Sequence, residues 1–366
     1  MSLLKMVRGQ KRAGELLSRS FSKGRLAHAY LFAGPSGVGR LTAALELAAA
    51  WMCGDDENGY CGECRNCQRI FRFQHPDVRL TIPQTGSTEP EEIANLLQSR
   101  VDDGITPVRL QGNIRISIGQ IREMEKRLSM KAFENHGHIE IIPDADRMGV
   151  EAANALLKTL EEPPDETVII LISSIWSALL STVRSRSHLI RFRRLPDTVI
   201  RDILMDRLDL REEEASCIAG SSDGRPGIAL LRGNSASRVE GEFGSEKVLR
   251  RLIEGGTVMS AVSLASEVSR KLGREGSLEF CKSMQLFIHD LRRHACKNKP
   301  LVHSSKVLQG FDINDDAFSS GLNYFRMAEA RLAGNGMPKI VLTAAFTGMH
   351  RSIVSSGRDS LIELQE

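Results

Sequence analysis

The hydrophobic rhythm of the chain changes near its middle. In the first half, short apolar runs alternate with stripes of helical period. "AHAYLFAG" (27–34) predicts a strand, and "LTAALELAAAWM" (41–52) predicts an Ala- and Leu-rich helix just after a glycine loop. "HPDVRLTIP" (75–83) predicts a second strand. Residues 84–113 are polar and contain Gly, with one short helix near "EEIANLLQ" (91–98). "IGQIREMEKRLSM" (118–130) puts Ile121, Met124 and Leu128 on one helical face. "HIEII" (138–142) predicts a third strand. The helix predicted at "EAANALLKTLEEPP" (151–164) has Ala152, Ala153, Leu156, Leu157 and Leu160 on its apolar side, and Pro163 and Pro164 stop it. "TVIILIS" (167–173) is apolar almost throughout, as in a strand covered on both faces. This alternation predicts an α/β domain with a parallel sheet flanked by helices.

The rhythm becomes helical from Pro196. "LPDTVIRDILMDRL" (195–208) gathers Val199, Ile200, Ile203 and Leu204 on one face, a second helix follows near 211–220, and "SSDGRPGIALLRG" (221–233) is a turn leading to a third short helix. Beyond about residue 240 only helical patterns remain, for example at 276–295 and 336–354. No internal repeat or low-complexity tract interrupts the chain.

Composition narrows the function classes. The 366 residues are enough for two or three domains. The net charge of +3, from 49 basic and 46 acidic residues, argues against a surface devoted to nucleic acid, though it permits a local basic patch. Aromatic residues make up 5%, too few for a base-stacking platform. No apolar run approaches the roughly 18 residues of a membrane helix. The first residues, "MSLLKMVRGQKR", carry no apolar core behind their charges, so no signal peptide is expected and a cytoplasmic location is. Disulfides are rare there, and seven cysteines need another explanation.

"GPSGVGRLT" (34–42) follows the pattern G-x-x-x-x-G-K-[ST] between a strand and a helix. Gly34, Gly37 and Gly39 let backbone amides turn toward a phosphate at a helix N-terminus. Arg40 stands in the lysine position, longer and planar. Leu41 replaces the hydroxyl that holds Mg²⁺, and Thr42 comes one residue late, about 100° round the helix. The acidic pair such a site needs falls on "IEIIPDADRM" (139–148), where Pro143 takes the first carboxylate position and Asp144 the second. Asp146 reads as a cap for the next helix. Three readings stand: a turn without ligand, a phosphate site without turnover, and an ATPase with unusual residues.

"CGDDENGYCGECRNC" (53–67) spaces Cys53, Cys61, Cys64 and Cys67 as C-x7-C-x2-C-x2-C. Four thiolates satisfy tetrahedral Zn²⁺ with no open position, which makes the metal structural. An iron–sulfur cluster is the rival, but "QRIF" stands where a further cysteine and proline would follow. Free thiols on a loop are the third reading. Cys217, Cys281 and Cys296 stand alone and read as small buried apolar residues. In "LLSTVRSRSHLIRF" (179–192), Arg184, Arg186 and Arg191 read either as solvated or paired charges on a strand edge or as an arginine offered to a neighbour's phosphate.

Taken in order, "HAYLFAGPSGVGR", the cysteine cluster, "HPD" (75–77), "IGQIRE", "DADRMGVEAANALLKTLEEPP" and "STVRSRS" resemble bacterial clamp-loader ATPase subunits of the AAA+ class. The resemblance is continuous to about residue 195, weaker to about 235, and beyond that rests on helical character. It implies a RecA-like domain (1–195) with an inserted zinc module at 53–67, a small helical lid (196–240) and an all-helical C-terminal collar for oligomerisation (241–366). The family has two close branches. Gamma/tau motor subunits keep the lysine and the acidic pair and hydrolyse ATP. Delta prime subunits often have a degraded site, which Arg40, Leu41 and Pro143 resemble. The resemblance therefore implies a non-hydrolysing stator in a hetero-oligomeric ring with gamma/tau and delta subunits of DNA polymerase III, loading a sliding clamp on primed DNA. It also implies structural Zn²⁺ on Cys53, Cys61, Cys64 and Cys67. The family's Ser-Arg-Cys motif, which offers an arginine finger in trans, corresponds to Ser185-Arg186-Ser187, so Arg186 is the expected finger. The second sensor arginine of the family falls on Gly227, with Arg225 nearby. An ATP-hydrolysing gamma/tau-type motor is the alternative reading. A zinc-dependent nucleic-acid-binding module outside the family is a third.

Overall fold

The computed structural model describes residues 3–54, 59–104, 106–108, 110, 113–134, 137–239, 244–296, 300, 305–311, 315–334 and 336–362. Contacts divide the chain into two compact units, residues 1–203 with 223–228, and residues 204–222 with 229–366.

The first unit is built on five strands: β1 (Ala29–Ala33), β2 (Val78–Leu80), β3 (His138–Ile142), β4 (Thr167–Ser173) and β5 (His188–Arg191). They form one sheet in the order β2-β3-β4-β1-β5, and every pairing is parallel. β2 is shorter than its sequence pattern predicts. β5 has no such pattern at all, because only Leu189 and Ile190 in it are apolar. Its helices are α1 (Lys11–Ser22), α2 (Arg40–Met52), α3 (Arg65–Phe71), α4 (Pro90–Asp103), α5 (Ile118–Leu128), α6 (Val150–Glu161) and α7 (Ser181–Ser185).

Alternation along the strands sorts the core into two layers. Tyr30, Phe32, Ile139, Ile141, Val168 and Ile170 pack with Leu17, Leu47 and Ile70 of α1, α2 and α3. Ala29, Leu31, Ile169 and Leu171 face the other way, onto Ile121, Met124, Leu156 and Val183 of α5, α6 and α7. α4 differs from these helices, since no side chain of it is buried. The register pairs Ala33 with both Ser173 and Arg191, and Ile142 with Leu171. The loops after β1, β3, β4 and β5 thus leave the sheet at one end, where open parallel sheets hold ligands.

α8 (Asp197–Leu208) and α10 (Pro226–Val239) each draw residues from both units, and α9 (Glu212–Ser221) lies within the second. The second unit also holds α11 (Ser245–Glu254), α12 (Val258–Ala295), α13 (Ser305–Leu308), α14 (Asp315–Ala333) and α15 (Pro338–Ile362). Gly273 breaks α12 with φ +62° and ψ −161°, close to where the predicted 276–295 helix begins. The core of this unit centres on Phe280, Phe325 and Phe346, whose ring centroids lie 5.7–6.2 Å apart. Among the described residues, no helix is long and apolar enough to cross a membrane.

Candidate functional site

The glycine loop joins β1 to α2 at the ligand end of the sheet. Gly34 has φ +154°, and a Cβ there would lie 2.3 Å from the Phe192 carbonyl oxygen, so only glycine fits. Gly39 (φ +93°) precedes the first turn of α2. The Gly37 carbonyl accepts a 2.8 Å hydrogen bond from the Gly227 amide, which draws the start of α10 onto the loop. Among the described residues, no amide of residues 36–42 donates to a protein acceptor. The open N–H groups of α2 therefore face the crevice, with the positive end of the helix dipole behind them.

The side chains around the loop are engaged unevenly. Arg40 is 7% exposed. Its Nη2 donates to Ser174 Oγ at 2.9 Å, while its buried Nη1 has no acceptor among the described residues. Burial pulls its pKa down to about 10, against the attraction of Asp144 and Asp146, and it remains a cation at neutral pH. Leu41 packs against the apolar layer of α2 and the sheet and brings no oxygen to a metal. Thr42 Oγ1 accepts from Arg100 Nη2 at 2.9 Å. Arg100 belongs to α4, and its part here is invisible in the sequence, since nothing local marks one arginine of a polar insertion.

At the end of β3, Pro143 is buried and Asp144 adopts a left-handed conformation with φ +47°. Asp146 does not cap a helix. Its Oδ1 accepts from Ser173 Oγ at 2.6 Å and from the Ser174 amide at 3.2 Å, tying the end of β3 to that of β4, and Gly149 takes the position before α6.

Arg186 follows α7 with 37% of its side chain exposed. Nη2 lies 2.7 Å from Glu161 Oε1 of α6, and Nη1 donates to the Thr182 carbonyl at 3.2 Å. Arg184 and Arg191 lie over the Trp176 ring at 5.3 and 5.5 Å from its centroid. The other arginines of the run are thus stacked, whereas Arg186 is paired with Glu161.

Cys53, Cys61, Cys64 and Cys67 converge, with all four Sγ atoms within 4.8 Å of one another. Cys61 and Cys67 Sγ are 3.9 Å apart, and Cys53 and Cys64 Sγ are 4.0 Å apart. A tetrahedron of 2.3 Å Zn–S bonds has edges of about 3.8 Å, so the cluster fits Zn²⁺. Amides of Glu63 and Cys64 donate to Cys61 Sγ, and they pull that thiol down to about 7. Burial pushes Cys67 up. Residues 55–58 of the cysteine-bearing segment lie outside the described residues. Cys281 is buried as expected, but Cys296 is exposed at the end of α12, and the Cys217 side chain lies outside the described residues.

Two buried acids of the sheet unit, Glu46 and Glu140, belong to no motif in the sequence. Glu46 of α2 accepts from the amides of Lys5, Met6 and Val7 and from the Tyr60 hydroxyl at 2.7 Å, so it ties the first residues and the cysteine segment to the sheet layer. A single Glu inside "LTAALELAAAWM" was the available signal. Glu140 of β3 accepts from Thr81 Oγ1 at 2.6 Å with Arg127 Nη2 3.5 Å away. Of the "HPD" stretch, Asp77 receives the amides of Phe133 and Glu134, each at 2.9 Å, and so fastens a loop.

Parallel strands in the order 2-3-4-1-5, with a glycine loop after β1 and its helix opening onto the crevice, define an AAA+-type nucleotide-binding fold. Within that class, the chain belongs to the family described as DNA polymerase III, delta subunit, whose model matches residues 9–196. The DNA polymerase III subunit delta′ of Bacillus subtilis strain 168 is 36% identical over 198 residues, 54% of this chain and 52% of the relative. Its Escherichia coli K12 counterpart is 28% identical, over 59% of this chain and 57% of the relative. The gamma/tau subunit of Mycobacterium tuberculosis H37Rv is 30% identical, over 54% of this chain and 30% of the relative. The chain thus spans about half the length of the delta′ relatives it matches.

Proposed function

We propose that the chain is a delta prime-type subunit of the DNA polymerase III clamp loader that hydrolyses no ATP itself and acts on a neighbour's site. The observation that carries this reading is the pair of side chains at the metal positions. Leu41 is half-buried against the core and Pro143 is buried, so neither the hydroxyl nor the first carboxylate that would hold Mg²⁺ is present. Without the metal, the phosphate loop retains binding elements but lacks the groups that stabilise a transferring phosphoryl group.

Arg186 is the residue that works outside its own chain. Its guanidinium is always charged, partly exposed and held at a fixed point by Glu161 and Thr182, which suits a group that meets a γ-phosphate across an interface. In this reading residues 1–195 form the AAA+ domain, 196–240 a lid and 241–366 a collar, Zn²⁺ on the four cysteines braces residues 53–67, and the protein is cytoplasmic. Its partners are gamma/tau and delta subunits, and through them the sliding clamp and primed DNA.

The test is ATP turnover by the purified chain, alone and then with the motor and delta subunits, clamp and primed DNA. The expected result is no turnover alone, and turnover in the mixture that requires this chain. Arg186→Ala should leave the fold unchanged and slow the neighbouring site on the order of 10³-fold. Unaltered turnover with that variant removes the trans role. Metal-dependent turnover by the isolated chain, abolished by Arg40→Ala, points instead to a gamma/tau-type motor, which the similarity to gamma/tau subunits also favours.

A further inference from the structure

We propose that Arg100, carried by the inserted helix α4, is a phosphate-binding residue of the glycine loop, and that the ligand is a di- or triphosphate group. Three observations concern the first turn of α2 and the loop before it. The amides of residues 36–42 have no protein acceptor among the described residues. Arg40 is more than nine-tenths buried, and its Nη1 has no acceptor there either. Arg100 Nη2 lies 2.9 Å from the hydroxyl of Thr42, a first-turn residue of α2 whose amide is among those open donors.

The arrangement replaces one lysine with two arginines of different origin. Arg40 is turned inward, with Nη2 on Ser174 and two carboxylates close enough to offset its charge. Arg100 comes from 58 residues further along the chain; its Nη1 donates to the Thr106 carbonyl at 3.4 Å, and its Nη2 reaches the same helix end through Thr42. The fork of a guanidinium matches phosphate oxygens, and charge-assisted bonds of this kind are the stronger class. The insertion has little else to fasten it, because α4 buries no side chain. A short antiparallel bridge between Gln84 and Arg115 closes its base. Its helix therefore serves to deliver Arg100 rather than to build the core.

Calorimetric titration of the full chain with inorganic tripolyphosphate, and separately with ATP, both without divalent metal, tests the assignment. The wild type should bind at one site. Arg100→Ala should weaken binding about tenfold or more, and Arg100→Lys should recover part of the loss. Circular dichroism should show the sheet and helices retained, because α4 buries no side chain and the substitution opens no core. Equal affinity for both ligands identifies the phosphates as sufficient, and tighter ATP binding identifies a nucleotide; either supports the site. Absence of binding of both ligands to the wild type at millimolar concentration overturns it, as does an Arg100→Ala variant that binds as well as wild type. Turnover is not read, so the result stands or falls apart from the trans role of Arg186.

Discussion

Arg40 and Glu140 illustrate how burial decides what a charged side chain does. Arg40 keeps its charge at neutral pH although burial lowers its pKa to about 10, an effect that Asp144 and Asp146 oppose. Glu140 is nearly inaccessible in the middle of the sheet, and burial raises its pKa above the ordinary 4.5, only partly opposed by Thr81 and Arg127. The sign of the linkage follows. Below about pH 4.5 the carboxyl is protonated in both states. As pH rises, the unfolded chain ionises first, so the contribution of Glu140 to stability is lost through its raised pKa. Glu140→Gln keeps an oxygen for the Thr81 hydroxyl and removes the titration. Urea unfolding between pH 4.5 and 8 should show wild type losing stability relative to this variant as pH rises. A constant difference across that range would mean that Glu140 is ionised throughout.

At the scale of elements, the loop between α2 and α3 is organised by sulfur. Cys53 ends α2, Cys61 and Cys64 form the turn, and Cys67 lies buried on α3, so the metal would add a clip between two helices that also pack together through Met52 and Ile70. The purified chain should contain about one Zn²⁺ by elemental analysis. Cys64→Ser should lose it, and amide exchange of residues 60–71 should accelerate while β1, β3 and β4 stay protected. A metal-free chain with that segment still protected would show that sulfur-to-amide bonds alone hold it. Helices were the most legible elements here. Ile121, Met124 and Leu128 are all buried, as their spacing requires. β5 escaped notice because "HLIR" forms a strand only through its pairing with β1, and α4 outran its short pattern because Pro90 and Gly104 set its ends.

For the whole molecule, the division into two units is a division of cores. The sheet has its two apolar layers, and the helical unit has its own cluster around Phe280, Phe325 and Phe346. Calorimetry should accordingly show two transitions, and denaturant melts followed by Trp fluorescence and by far-UV circular dichroism should not coincide, because Trp51 and Trp176 both lie in the first unit. A single coincident transition would mean that the cores unfold as one. The boundary crosses α8 and α10, a position that no shift in composition marks.

The sequence by itself determined the alternating α/β half, the helical half, the glycine loop with its altered lysine and metal positions, and the cysteine spacing. Each of these is written in neighbouring residues, where periodicity and local conformation act. Tertiary structure alone decided that Asp146 binds the end of β4, that Glu46 holds the first residues of the chain, that four sulfurs converge within 4.8 Å and that Arg100 meets Thr42. These contacts depend on how separate elements pack, and hydrogen bonds and charge act over distances in space rather than along the chain.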